Sequence, residues 1–225
     1  MFNNFIEKVL LFSNSLLSER KNWIESCLKK MGIASKTHIF HSCFGEGCNV
    51  WAEIGNKQKK LIISAHYDGK SIFDNSAGVF CLIDIAKKIL NTGYPFSVIL
   101  LFSDLEETYQ QGSAYFLKDY HFDIVKSINI DGFGIGNNLY TVHSLIRNTN
   151  TDSDLFLTDK DEFTKKNIPS TSYFTAFSED FETATKTRQI YETFKKYQLE
   201  SFFRERFDKN SYEKTCFEIL NIISN

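Results

Sequence analysis

Apolar side chains recur at helical spacing through residues 2–31: Phe5, Val9, Phe12 and Leu16, then Trp23, Ile24, Cys27, Leu28 and Met31. That period predicts two helices divided near residues 14–18, the second stopped by Gly32. Residues 36–43 and 48–54 read as strands joined by a turn containing Gly45 and Gly47. Then the pattern changes. Leu61-Ile-Ile-Ser-Ala and Ser97-Val-Ile-Leu-Leu-Phe are nearly continuous apolar runs, the mark of strands covered on both faces. Between them residues 77–90 carry Val79, Leu82, Ile83, Ala86 and Ile89 on one side of a helix. A helix over 112–118 and strands over 124–130 and 139–143 follow. Helices near 159–167 and 183–205, a short strand at 170–175 and a terminal helix at 211–223 complete the chain.

Strands and helices thus alternate through the middle, so the expected fold class is α/β. The specific expectation is a three-layer αβα sandwich around a mixed, mostly parallel β-sheet. The 225 residues suit a single domain: N-terminal helices over 1–32, core sheet and site over 36–177, and a helical C-terminal part over 178–225.

Composition changes this picture little. The 22 phenylalanines point to an aromatic-rich core before an aromatic substrate surface. A net charge of −2 without long blocks of like charge argues against a nucleic-acid groove or a polybasic membrane anchor. No run of 18 apolar residues and no secretory leader pattern are found, so neither a membrane span nor export is expected. Cytoplasmic residence is the resulting expectation. Five scattered cysteines read as reduced thiols rather than a disulfide framework. Oligomeric state is not legible.

Chemistry concentrates where open α/β sheets place their sites, at the carboxyl ends of strands. The strand at 61–65 leads into His66-Tyr-Asp68, and Asp74-Asn-Ser-Ala-Gly78 opens the next helix. The strand at 97–102 leads into Asp104-Leu-Glu106-Glu107, and the strand at 124–130 ends in Asp131-Gly132. Any one of these groups is commonplace. Three separate strand ends delivering carboxylate or imidazole together are hard to explain as surface decoration.

In order along the chain, His66-x-Asp68, Asp74-Asn-Ser-Ala-Gly78, Glu106-Glu107 with Gly112-Ser113, and Asn129-Ile-Asp131 resemble the motifs of the M28-type zinc aminopeptidase family, which also contains the glutaminyl cyclases. Asp159, Phe163 and Asn167-Ile-Pro169 extend the likeness, which runs from about residue 48 to 187. The resemblance implies that Asp74 bridges two zinc ions, His66 and Asp131 complete one, and Glu107 binds the other. It makes Asp68 the acceptor that fixes the tautomer of His66 and Glu106 the general base. These types suit the task, since a metal ion can acidify a water while a non-ligand carboxylate takes its proton. Oxygen ligands with one imidazole also suit manganese or cobalt.

The chain departs from the family at the last ligand, a histidine that would complete the Glu107 metal. After His143 it has no histidine, and Phe181-Glu182-Thr183 stands where that ligand is expected. Three readings stay open: Glu182 (or Glu179 or Asp180) replaces the imidazole, only the His66/Asp74/Asp131 metal binds, or the site is inactive. His143 reads as a structural residue. The expected function is a metal-dependent exopeptidase-type hydrolase acting on the N-terminal amide of a small peptide or amino-acid conjugate. The alternatives are a glutaminyl-cyclase-like acyl transfer and an inactive peptide-binding homologue.

Overall fold

The computed structural model describes residues 2–141, 157–182 and 187–224. Two helices, α1 (Phe2–Asn14) and α2 (Leu17–Lys30), precede a seven-stranded sheet. Its strands are β1 (Ser35–Ser42), β2 (Gly45–Ile54), β3 (Lys59–His66), β4 (Ser97–Ser103), β5 (Asp123–Ile130), β6 (Asn138–Thr141) and β7 (Ser170–Ala176). They lie in the order β1-β2-β4-β3-β5-β7-β6. The central β4, β3, β5 and β7 are mutually parallel, while β1, β2 and β6 run antiparallel to their neighbours. A mixed, mostly parallel sheet was expected, and that is the observed class.

Side-chain alternation shows why both faces must be covered. Leu61 and Ile63 of β3 and Leu100 and Phe102 of β4 enter one apolar cluster, whereas Ile62, Ile99 and Leu101 enter the other. The first cluster lies under α1, α2, α3 (Ala77–Ile89) and the C-terminal helix, which spans Lys209–Ser224. The second lies under α4 (Gln111–Asp119) and α5 (Asp159–Lys165), through Phe116, Leu117 and Phe163. The phenylalanines accordingly populate the core: Phe12, Phe102, Phe116, Phe133, Phe163 and Phe203 are among the buried ones. Burial of each such ring contributes about 1.5–3 kcal/mol.

Two readings are corrected. Gly45 and Gly47 are not the β1–β2 turn; they belong to β2, with Ser42 paired to Gly45 and Phe40 to Gly47. A Cβ at position 47 would strike the ring of Phe40, so the missing side chain makes room for its cross-strand partner. The helix expected over 183–205 is divided into α7 (Thr187–Tyr197) and α8 (Glu200–Arg206), after a short α6 (Ser178–Glu182). Leu199 is extended, with φ −72° and ψ 128°. The break lets both Tyr197 and Phe203 reach the core, although six positions apart on one helix would aim them at different faces. The terminal helix, α9 (Lys209–Ser224), lies along α3 with Cys216 Sγ 3.3 Å from Cys81 Sγ. Among the described residues no helix is long and apolar enough to cross a membrane.

Candidate metal centre

His66 is the last residue of β3, and its ring is 1% exposed. The register places it beside Ser103, the last residue of β4, so the loops leaving both strands start side by side. Asp68 Oδ1 accepts from His66 Nδ1 at 3.1 Å. The carboxylate cannot donate, so it fixes a proton on Nδ1 and leaves Nε2 as the ring nitrogen a ligand can reach. Nε2 is buried, has no hydrogen-bond partner, and lies 3.7 Å from Asp131 Oδ1. A polar atom left this way is costly unless a cation or another ligand completes it.

Asp74 reaches the same point from a π-helical turn, Ile72–Ser76, that leads into α3. Its amide donates to Ser71 Oγ at 3.0 Å, and Gly132 N donates back to its carbonyl at 3.0 Å. These bonds tie the turn to the end of β5. One donor atom each from His66, Asp74 and Asp131 lie within 4.8 Å of one another. An imidazole with two carboxylates is a donor set for a zinc-type divalent ion, so these three residues could hold one.

The β4 end supplies the next pair. Residues 104–110 form a tight turn in which Leu105, Tyr109 and Gln110 all have positive φ (53°, 59° and 53°). Such positions cost about 1–3 kcal/mol each and persist only when the surroundings enforce them. Here Asp104 accepts from Leu105 N at 2.8 Å and Cys48 N at 2.9 Å. A Cβ on Gly112 would overlap the carbonyl of Asp104, so glycine there lets α4 close against the turn. The turn points Glu106 inward, buried with Oε2 3.7 Å from His66 Nδ1, and leaves Glu107 exposed at the rim. Asp68 Oδ2 accepts from Glu107 N at 3.1 Å, and the Glu107 side chain meets Asp74.

Carboxylates gathered this closely shift the titration of several groups. Burial, with Asp131 alongside, pushes Asp74 up to about 7. Burial also drives Glu106 well above the usual carboxylate range, and partial desolvation of the Glu107 carboxyl, with Asp74 facing it, raises that group too. His66 is opposed by burial, yet the carboxylates of Glu106, Asp131 and Asp68 outweigh it and raise its pKa. The site carries excess negative charge, which a cation would neutralise.

Asp159 enters the same field. Sequence reading met it only within the family likeness and gave it no role. It opens α5, is fully buried, accepts from Ser103 Oγ, and is pushed up to about 6 by burial. Of the residues considered as replacements for the missing histidine, Asp180 accepts from Tyr197 OH at 2.8 Å and Glu179 lies 4.0 Å from Arg206. Among the described residues neither belongs to the His66/Asp74/Asp131 group. His143 and the side chain of Glu182 lie outside the described residues.

Solved structures share this architecture. A zinc-dependent exopeptidase from Parabacteroides distasonis superposes with a TM-score of 0.73 at 16% identity, covering 99% of this chain and 96% of that one. The Porphyromonas gingivalis glutaminyl cyclase gives 0.70 at 16% identity, covering 98% and 95%. A zinc aminopeptidase from Bacillus subtilis gives 0.57 at 14% identity, covering 76% of this chain and 48% of that one. No curated protein sequence matches the chain. The model of peptidase family M28 matches residues 49–199, a span that contains every strand-end carboxylate and the imidazole described above, and the chain therefore belongs to that family.

Proposed function

We propose that this chain is a metal-dependent exopeptidase-type hydrolase that cleaves the N-terminal amide bond of a small peptide or amino-acid conjugate. The buried, unpartnered His66 Nε2 beside Asp131 and Asp74 carries the reading, because a cation resolves both the orphaned nitrogen and the surplus carboxylate charge. His66, Asp74 and Asp131 would hold one ion, zinc by the chemistry of the donor set, with manganese or cobalt compatible. Glu107, against the other side of Asp74, would contribute to a second. A divalent ion so held acidifies water and polarises a carbonyl oxygen.

The remaining steps belong to the chain's own groups. Asp68 holds the imidazole by its Nδ1 proton and, through Glu107 N, keeps the two loops in register. Glu106 is the base: its carboxylate takes a proton from the attacking water and delivers it to the departing amine nitrogen as the C–N bond breaks. Its raised pKa, caused by burial and neighbouring carboxylates, makes it a stronger base than an exposed glutamate.

Cyclisation of an N-terminal glutamine is the second reading, with the same base but a single ion at Asp74 and Glu107. The gathering of His66, Asp74 and Asp131 favours the first. Two assays test this. Elemental analysis should find metal that is lost in His66→Ala. Glu106→Gln should keep the metal and lose hydrolysis by roughly 100-fold or more. Near-normal turnover in Glu106→Gln would exclude the mechanism, ammonia release from glutaminyl peptides would select the cyclase, and metal-free wild type would leave a peptide-binding homologue.

A further inference from the structure

Arg20 of α2 is 3% exposed, yet its guanidinium donates only to backbone carbonyls. Nε reaches Ser15 O at 3.2 Å and Nη2 reaches Ser13 O at 2.5 Å, both at the corner between α1 and α2. Nη1 crosses to the loop that follows His66, donating to Tyr67 O at 2.9 Å and Gly69 O at 2.5 Å. Ser13 Oγ adds a contact to Lys70 O at 3.3 Å. Among the described residues no carboxylate lies within ion-pair distance of Arg20, and its long-range electrostatic partner is Asp68. Burying a cation without a paired anion is expensive. The ordinary reason to retain one here would be a planar fork that can tie several carbonyls at once, which lysine cannot do.

What the fork ties is the loop that carries Asp68. That loop is also gripped from its far side: Tyr67 OH donates to Cys48 O and Asn75 Nδ2 donates to Asp68 O. Gly69 has the Arg20 guanidinium on its carbonyl, and the space a Cβ would take is filled by Asn75 and Glu107. If the Arg20 side slackens, Asp68 has freedom to move off His66 Nδ1, and the ring loses the partner that fixes its Nε2 lone pair.

We infer that Arg20 is a positioning residue for the metal centre, holding the 67–69 loop so that Asp68 orients His66. It lies outside the 49–199 span of the family match, on a helical hairpin that contributes no group to the site itself. The inference rests on the metal reading above. It predicts that the α1–α2 hairpin governs metal affinity, not only stability.

The test is zinc affinity of the full chain, measured by competition with a chromogenic chelator, in wild type, Arg20→Met, Arg20→Lys and Ile24→Ala. Ile24 is a fully buried neighbour on the same helix and serves as the control for a generally loosened hairpin. Arg20→Met should weaken zinc binding about 10- to 100-fold, the usual effect of losing a group behind a ligand. Arg20→Lys should fall between, and Ile24→Ala should lose thermal stability with zinc affinity retained. Combined with Asp68→Asn, Arg20→Met should cost little more, because both act on the same ring. Wild-type affinity in folded Arg20→Met, or an equal loss in Ile24→Ala, overturns the inference. Should Arg20→Met fail to fold, wild-type affinity in Arg20→Lys overturns it just as well. A wild-type chain that binds no zinc would instead refute the metal reading and this inference with it.

Discussion

At Gly69 the backbone takes φ +71°, and a Cβ there would lie 2.6 Å from Asn75 Nδ2 and 2.7 Å from Glu107 Oε1. Gly69→Ala therefore meets two costs. The left-handed conformation disfavours a side chain by about 1–2 kcal/mol, and the methyl group must displace Glu107 or Asn75. The expected result is a loss of about 1–2 kcal/mol in urea unfolding, with weaker binding of whatever ion Glu107 contacts, read by metal titration. Unchanged stability and unchanged titration would show that Glu107 is not held where the structure has it. Single residues also show what a sequence can and cannot disclose. His66, Asp74, Glu106, Glu107 and Asp131 stand out because each sits at a strand end or the turn after one, where alternation of apolar runs already fixes the place. Arg20 does not, since its partners Tyr67 and Gly69 are backbone carbonyls 47 and 49 positions away, and a carbonyl leaves no trace in residue type. Asp159 is intermediate: it reads as an ordinary first-turn helix acid until Ser103 is known to face it.

At the scale of elements, the buried strands were legible because Leu61–Ala65 and Ser97–Phe102 are apolar on both faces, which only a covered sheet requires. Their order was not. β4 lies between β2 and β3, and pairing between segments tens of residues apart depends on how whole layers stack. The split between α7 and α8 left no mark in residue type, since neither Gly nor Pro stands between Tyr197 and Phe203. Aromatic contacts hold the helices of one layer to each other. Phe80 of α3 stacks on Trp23 with centroids 4.5 Å apart and meets Phe5 and Phe12 edge-on at 5.6 and 5.7 Å, while Phe5 stacks on Phe207 at 5.1 Å. One ring thus joins α1, α2 and α3. Phe80→Ala should cost about 3–5 kcal/mol in chemical denaturation while metal stoichiometry stays intact. A loss below about 1 kcal/mol would mean that the hairpin docks independently of this cluster.

For the molecule as a whole, the centre makes stability depend on pH and on metal in linked ways. Folding raises Asp74 to about 7 and Asp104 and Asp159 to about 6, in each case chiefly by burial, from an ordinary value of 3.8. Glu106 moves in the same direction. Between pH ~4 and ~7 the metal-free folded chain consequently binds more protons than the unfolded chain, so its stability falls as pH rises through that window. His66, whose pKa is also raised by its carboxylate neighbours, has the same sign in a higher window: its contribution is fully present below the ordinary 6.5 and is lost as pH rises from there through its folded pKa. Glu7 and Asp208 act oppositely, because hydrogen bonds from Arg204 and Ser211 lower their pKa values. Their contribution is lost as pH falls from their ordinary 4.5 and 3.8 toward their lowered folded values, so they oppose the trend only at the acidic edge of the window, below the pH 5 of the comparison. Zinc would compete with the protons on Asp74 and His66 for the same lone pairs, and at a free concentration 100 times its Kd it would add about 2.7 kcal/mol. Chelator-stripped protein should therefore melt at a higher temperature at pH 5 than at pH 7.5. Added zinc should raise the melting temperature strongly at pH 7.5 and weakly at pH 5, reversing the order. If stripped protein were instead more stable at pH 7.5 and zinc moved neither transition, the buried carboxylates would not be the strained, cation-seeking cluster that their geometry describes.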